Sequence, residues 1–414
     1  AEHRAPARPD ATGRRFLIAA FGDPGHAFPA IALGAALHRR GHAVCVQTWK
    51  RWRADVEREG VQFAPAPEYS VFPVTGRDLT PYEAAVEATR TTVPLLRDFD
   101  PDVVVADILT AVGGLAAGVE RRPFATLIPH VLPTSEAGLP PYSIGARLPR
   151  SALGRRGWAL LQPLLRRGEE RGRDELNGAR ARVGLAPLDY THNGISRDLA
   201  LVATFPQLEY PRRDWHPAFK VTGPLLWERP AEPVEAPGGD APLVLVAPST
   251  SQDPDGRMVA AALDGLAREP VRVLATTNRP GQPLPERVPA NAKVVDWLSY
   301  GATMPRCATV VCHAGHGTVA RALSYGVPVV GAPAAGDMAE NAARIAWAGC
   351  GVSLPRRMVT PRGIRLAVRR ALADGAIRSR AGELAAWAAA NDGGTTAAAE
   401  LERFAARVAP SRAS

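Results

Sequence analysis

Two turns of this chain hold residue types that could do chemistry. The first is FGDPGHAFPA, residues 21–30, which sets Gly22, Pro24, Gly25 and His26 between an apolar run and an apolar-periodic segment. An imidazole titrates near neutral pH, so a histidine at such a turn can accept a proton from a reacting hydroxyl. It does so better when a carboxylate on its far nitrogen fixes the tautomer and stabilises the developing imidazolium. Asp107, closing the apolar run VVVAD, is the candidate carboxylate, because ligands of parallel sheets bind beyond the strands' carboxyl ends. The bland uses are a helix cap for Asp107 and a cap or packed ring for His26. A helix predicted to begin near Pro29 would, through its positive end, favour the neutral imidazole.

The second turn is CHAGHGTVARAL, residues 312–323. Gly315 and Gly317 let backbone approach an anion, Thr318 opens a predicted helix with unpaired N–H groups, and His313 can donate to a phosphate oxygen. The pattern suits a diphosphate, although a plain structural turn fits the same letters. PSTSQ, residues 248–252, adds the hydroxyls of Ser249 and Thr250 after the first strand of the same half. Trp297 closes another strand, where it could stack on a base or pack in the core. Asp337 and Asn341, in PAAGDMAEN, could meet a sugar or serve as turn residue and cap. Cys312, His313 and His316 lie close together, but zinc sites pair their ligands and no second pair is evident, so no metal is expected.

The elements that must hold these turns repeat one grammar in two halves: apolar strand, glycine-rich turn, helix. RRFLIAAF, HAVCVQTW, DPDVVVADIL and PFATLIPHV read as strands of the first half, and PAIALGAALHRRG as an amphipathic helix ending at Gly41. Residues 151–182 read as a cationic helical stretch with a solvated face. The second half restarts at LVLVAPSTS and continues through VRVLATTN, AKVVDWLSY, ATVVC and VPVVG. Strands alternating with helices imply parallel sheets built from βαβ units. The expected organisation is a disordered tail over 1–15, an α/β Rossmann-like domain over 16–222, and a proline-rich linker over 223–242. A second Rossmann-like domain follows over 243–390, and a helix over 391–414 is long enough to cross back to the first.

Composition narrows the partners. Hydrophobic residues make 46% and charged residues 22% of the 414, an ordinary globular balance. No window is long and apolar enough for a membrane span and no secretory signal is evident, so a cytoplasmic protein without stable membrane insertion is expected. The net charge of +9 comes from arginine spread everywhere, with no basic stripe interleaved with aromatics, so nucleic acid is not an expected partner. Cys45, Cys307, Cys312 and Cys350 show no CxxC spacing and are expected to be free thiols. The first turn lacks GxGxxG and strand two lacks the acid of a dinucleotide site, which disfavours an NAD-type dehydrogenase.

The run from Asp296 to Asn341 resembles the nucleotide-sugar signature of the family 1 glycosyltransferases, which have the GT-B fold. Within that family the chain looks most like bacterial enzymes that glycosylate macrolides, aromatic polyketides and enediynes, and the likeness extends to the tail GGTTAAAELE. The resemblance implies a catalytic base at His26 with Asp107 behind it, in the pattern GHxxP after the first strand. It implies that Trp297 stacks on the base, that His313 with Gly315, Gly317 and Thr318 binds the diphosphate, and that Asp337 binds sugar hydroxyls. The full donor set expected is Ser249, Thr250, Trp297, Leu298, His313, Gly315, His316, Gly317, Thr318, Asp337, Met338 and Asn341.

Two departures stand out. Relatives often carry, three residues after Thr318, a glutamate that grips the ribose hydroxyls of uridine, and here that residue is Arg321. Relatives often have Gln after the aspartate, and here it is Met338. Both fit a dTDP-deoxysugar rather than a UDP-sugar as co-substrate. The expected function is inverting, metal-independent transfer to a hydroxyl of an apolar aglycone, with no bound cofactor and a possible homodimer. The alternatives are a lipid-linked cell-wall sugar transferase at the membrane surface, a nucleotide-sugar 2-epimerase of the same fold, and a non-catalytic partner protein. Acceptor residues are expected in the loops 69–83 and 129–143 and near Trp158.

Overall fold

A computed structural model describes residues 13–68, 81–190, 194–249, 256–278, 284–285, 287–334 and 336–408. Thr250, most of PSTSQ and most of the loop 69–83 lie outside the described residues. The first lobe runs β1 (Arg15–Ala19), α1 (Pro24–Arg39), β2 (Ala43–Thr48), α2 (Arg53–Arg58), β3 (Gln62–Pro65), α3 (Pro81–Phe99), β4 (Val103–Asp107), α4 (Ala111–Val119) and β5 (Phe124–Ile128). It continues through α5 (Ala152–Ala159), α6 (Gln162–Arg182), β6 (Ala200–Val202) and β7 (Phe219–Val221). The second lobe runs β8 (Leu243–Ala247), α7 (Arg257–Leu266), β9 (Arg272–Thr276), β10 (Ala292–Val295), α8 (Tyr300–Thr303), β11 (Thr309–Cys312) and α9 (His316–Ser324). It closes with β12 (Val329–Gly331), α10 (Met338–Ala348), β13 (Gly351–Ser353), α11 (Pro361–Ala373), α12 (Gly375–Ala390) and α13 (Gly393–Val408).

The central strands are runs of Val, Ile, Leu and Ala with almost no exposed residue, the composition of strands covered on both faces. They pair in parallel in the orders β3-β2-β1-β4-β5-β6-β7 and β10-β9-β8-β11-β12-β13. Each order reverses once, between β1 and β4 and between β8 and β11. Those reversals leave the crevices where ligands of doubly wound sheets bind. Register aligns the strand ends there: Ala19 pairs with Ala106, and Ala247 and Gly331 both pair with Cys312. Whatever follows β1 therefore meets whatever ends β4, and whatever follows β8 meets whatever follows β11.

The helix expected to be amphipathic, α1, is buried over most of its circumference. The reason is α13, which lays Ala397, Ala398, Leu401, Phe404 and Ala405 into the same core as Phe16, Ile18 and Leu33 of the first lobe. Arg40 and His42 hold Glu402 of α13 at 2.7 and 2.8 Å. Gly393 opens α13 where any side chain would stand 2.4 Å from the Pro224 carbonyl. The two chain crossings between lobes thus pass in contact. The segment after Val221 is also more tightly held than a flexible linker. Leu225 and Trp227 are buried in the first-lobe core, Trp227 Nε1 donates to Glu59 at 2.8 Å, and Arg229 pairs with Asp55 at 2.6 Å.

A buried ionic cluster joins the lobes a second time. Arg344 on α10 is 2% exposed. Its guanidinium donates to Glu340 on its own helix at 2.8 Å, to the Leu208 carbonyl at 2.8 Å, and to Glu209 at 3.1 Å. It also stacks over Tyr210, with Cζ 4.1 Å from the ring centre. Burial pushes the Glu340 carboxyl up against the pull of Arg344, while burial works to lower the Arg344 pKa and is outweighed by Glu209 and Glu340. Removing one partner of such a cluster leaves the rest buried and uncompensated. Arg344→Met is expected to destabilise the protein by about 3–5 kcal/mol, read as a lower urea midpoint; a change under about 1 kcal/mol would show that the cluster carries no such weight.

Candidate active site

The first crevice is built by the turn after β1. α1 begins at Pro24, five residues before the expected start, because proline at the first helical position lacks only an N–H that would be orphaned anyway. His26 consequently lies in the first turn of α1. Gly22 makes the turn possible: a side chain there would overlap Trp49, whose ring atoms come within 2.0 Å of the position. From this turn His26 Nδ1 reaches Asp107 Oδ1 at 2.7 Å. Asp107 is buried and accepts two further bonds on Oδ2, from the Phe21 N–H at 3.2 Å and the Thr110 hydroxyl at 3.4 Å. The carboxylate is anchored at the start of α4, and it also holds the imidazole. With Nδ1 donating to a carboxylate, Nε2 keeps its lone pair.

The expectation that the helix end would keep His26 neutral is corrected by its surroundings. Burial acts against the imidazolium, but the charge and hydrogen bond of Asp107 overcome it, with Asp23 and Asp337 adding to them, and the pKa is raised above 6.5. Asp337 belongs to the second lobe, so its carboxylate is close enough to act on His26 across the boundary. A second histidine stands beside the dyad. His130, just beyond β5, has its ring centre 6.3 Å from that of His26 and stacks on Tyr142 at 5.7 Å. Its Nδ1 donates to the Val131 carbonyl at 2.8 Å, and burial lowers its pKa.

The second crevice is built by the turn after β11. Ala314 takes φ +61°, a left-handed conformation that costs a non-glycine residue about 1 kcal/mol or more. Neighbours hold it there: its N–H donates to Cys312 Sγ at 3.4 Å, and its carbonyl accepts from Asn341 Nδ2 at 2.9 Å. Gly315 then caps α9, and His316, Gly317 and Thr318 form its first turn, so Thr318 lies inside the helix rather than opening it. Their N–H groups have no intrahelical partners. His313 Nδ1 accepts the Ser249 N–H at 2.8 Å, which leaves the ring hydrogen on Nε2. Asp337 occupies the cap position of α10, with Met338 as its first residue, and makes no side-chain capping bond. Trp297 lies half-buried just beyond β10, beside the buried Leu298.

Several expected donor residues have other work. His316 turns its ring to the first lobe, where Nε2 donates to the Ala203 carbonyl at 3.3 Å. Burial and the neighbouring His130 push its pKa down to about 4. Only its backbone remains at the helix end. Asn341 supports the Ala314 turn. Cys312, His313 and His316 point to three different partners, and no group of three potential metal ligands converges among the described residues. All four cysteines are buried and unbridged. Arg321, where the resemblance leads one to expect a glutamate, donates to the Trp227 carbonyl at 2.7 Å and pairs with Glu228 at 3.2 Å. Glu228 in turn caps α8, accepting from the N–H groups of Tyr300 and Gly301 at 2.5 and 2.8 Å. Ala314 and Glu228 were not singled out from the sequence, although the density of glycines around Ala314 left a trace there; His130 and Tyr142 lie in the loop 129–143, where acceptor residues were expected.

The chain matches the glycosyltransferase family 28 N-terminal domain over residues 16–118. Residues 260–404 match the C-terminal domain of the erythromycin biosynthesis protein CIII-like family. It is 32% identical over 413 residues to 4'-demethylrebeccamycin synthase of Lentzea aerocolonigenes, covering 92% of this chain and 97% of that protein. The chain belongs to the GT-B natural-product glycosyltransferases. A glycosyltransferase of PGL/p-HBAD biosynthesis from Mycobacterium tuberculosis is 30% identical over 311 residues, 70% of this chain and 68% of that protein. Among solved structures, the calicheamicin glycosyltransferase CalG4 superposes with a TM-score of 0.71 at 24% identity, covering 96% and 100% of the two chains. The glycosyltransferase VinC, solved in complex with dTDP, superposes at 0.68 with 21% identity, covering 95% and 100%. The two-lobed parallel architecture expected of the sequence is the architecture of these enzymes.

For this glycosyltransferase the Asp107 carboxylate is the main reason the His26 pKa stands high. Titration of the free protein by nitrogen-15 NMR should place the His26 midpoint above 6.5. In Asp107→Asn burial acts without the opposing charge, so the midpoint should fall below the wild-type value. An unchanged midpoint in that variant would remove the carboxylate as its cause.

Proposed function

We propose that this glycosyltransferase moves a deoxysugar from dTDP to a hydroxyl of an apolar acceptor, with inversion and His26 as the base. The observation that carries the reading is the pairing of His26 with Asp107 at one sheet reversal, opposite a helix end prepared for an anion at the other. The acceptor O–H gives its proton to His26 Nε2, and the oxygen attacks the anomeric carbon as the bond to the diphosphate breaks. Attack from the first lobe on a sugar whose leaving group lies on the second inverts the configuration. Asp107 compensates the imidazolium that forms. Negative charge gathering on the diphosphate is met by the first turn of α9, by His313 Nε2–H and by the Thr318 hydroxyl, so the step needs no metal. Asp337, which makes no cap, is left for sugar hydroxyls.

The donor base rests on Arg321 and Glu228. A buried carboxylate facing a ribose would select for the 2′-hydroxyl, but the carboxylate in this region is spent on two backbone N–H groups and a guanidinium. Such a site offers uridine no advantage over thymidine. The dTDP seen with VinC supports the same choice. Met338 in place of an amide gives the sugar pocket an apolar wall, which suits a carbon lacking its hydroxyl. For the acceptor, a cavity of about 200 Å³ opens beside Asp107. Ile108, Leu115, Leu176 and Leu188 give it apolar walls that suit an apolar aglycone, with Thr110, Arg122, Thr126 and Arg180 among its polar lining. A cytoplasmic site of action accords with the nucleotide-sugar donor, and no helix among the described residues is long and apolar enough to cross a membrane.

Two experiments test the reading. His26→Ala should lower turnover by about 10²–10⁴-fold while the thermal stabilisation by dTDP persists, and Asp107→Asn should lower it less. Near-normal transfer by His26→Ala would remove the base. In thermal-shift titrations, dTDP should raise the melting temperature at lower concentration than UDP, since a ligand bound only by the native state stabilises it; the reverse order would return the donor to uridine.

A further inference from the structure

The reaction leaves one surface unexplained. α5 contains no buried residue, and α6 buries only Leu176 and Ala179, near its far end. The two run on as one arm, because Leu160 and Leu161 between them keep helical dihedrals and the Leu164 N–H donates to the Leu161 carbonyl at 3.0 Å. Leu153 is 79% exposed, Leu160 81%, Leu164 66%, Leu161 41% and the nearby Ile144 51%. A single exposed leucine is ordinary; five large apolar side chains within 21 residues of chain are not, when the rest of the described molecule exposes six. Leu153, Leu160 and Leu164 follow the spacing i, i+7, i+11 and so share one face of the arm.

Charge follows the same segment. Between Ile144 and Gly168 there are six arginines, all exposed, and no aspartate, glutamate or lysine; acids resume at Glu169. We propose that this face docks on an anionic bilayer surface, with the leucines entering the headgroup boundary and the arginines meeting lipid phosphates. An apolar ridge flanked by guanidiniums without acids is the composition of an interfacial helix. A second copy of the same face would set its arginines, Arg156 and Arg167 among them, against their like. A lipid surface supplies diffuse negative charge at the depth the leucines reach.

The arm sits at the rim of the site. Ser135 donates to Glu169 of α6, Arg155 packs on Gly138, and the loop between them continues to Tyr142, which stacks on His130. If the transfer reading holds, an apolar acceptor dissolved in the bilayer would enter from the docked side. The docking itself stands without that reading.

Co-sedimentation of the full chain with phosphatidylcholine vesicles, with and without about one-third phosphatidylglycerol, tests the face. Binding is expected only to the anionic vesicles and should weaken in high salt. Replacing Arg156 or Arg167, which share the leucine face, by Gln should lower the partition coefficient about fivefold each, and Leu160→Glu with Leu164→Glu should abolish binding. The variants should keep the wild-type thermal shift with dTDP, which reports on fold and donor site separately. Absence of binding to anionic vesicles would overturn the proposal. So would a wild-type dimer in solution that the double leucine variant converts to monomer, since the face would then serve a second copy.

Discussion

A hydrogen bond of 2.7 Å between His26 and Asp107 is the constraint around which the first lobe is organised. Asp107 is a buried carboxylate, and a buried charge is tolerable only when paired and hydrogen-bonded. Its three partners come from three places: the turn after β1, the N-terminus of α4, and the imidazole of α1. Each is brought there by the parallel register of β1 and β4, which sets the two strand ends side by side. The same arrangement that satisfies the carboxylate aims the ring. It also raises the imidazole pKa, so the ring gains a fixed tautomer and a stabilised protonated form.

The second lobe solves a different problem with backbone rather than charge. A left-handed Ala314 turns the chain so that α9 begins just beyond β11, presenting unpaired N–H groups. That conformation persists because Asn341 of α10 holds its carbonyl. α10 is in turn fixed to the first lobe through Arg344 and Glu209. The turn after β11, the helix α10 that Asp337 precedes and the first-lobe segment after β6 are therefore linked by contacts, not merely adjacent. His316 adds a direct tie between the helix end and Ala203.

Much of this was legible in the sequence because it is local. Strand, glycine-rich turn and helix follow one another within about ten residues, and the two reversals of strand order convert those turns into facing sites. His26 with Asp107, and His313 with the first turn of α9, could be named for that reason. What could not be read depends on contacts between distant segments. The α1 start was misplaced because Pro29 looks like a first helical residue, whereas Pro24 fills that role and Pro29 is carried inside the helix. The α1 face that sequence periodicity gives to solvent is covered by α13, which starts 369 residues further along the chain. His316 shares the glycine-rich motif with His313 yet turns to the other lobe, since a helical first turn points successive side chains in different directions.

Arg321 shows how a local substitution acquires meaning only from a partner elsewhere. By position it looks like a lost ribose ligand. In the structure it is half of an exchange, because Glu228 of the interlobe segment supplies a carboxylate to the same place. A glutamate at 321 would put a second carboxylate near Glu228 in place of the guanidinium that now compensates it, which disfavours ionisation of both. With arginine there, Glu228 can cap α8 and tie the Trp227 segment to the second lobe. Glu228 is thereby part of the joint between the lobes, its carboxylate shared between a guanidinium and two backbone N–H groups.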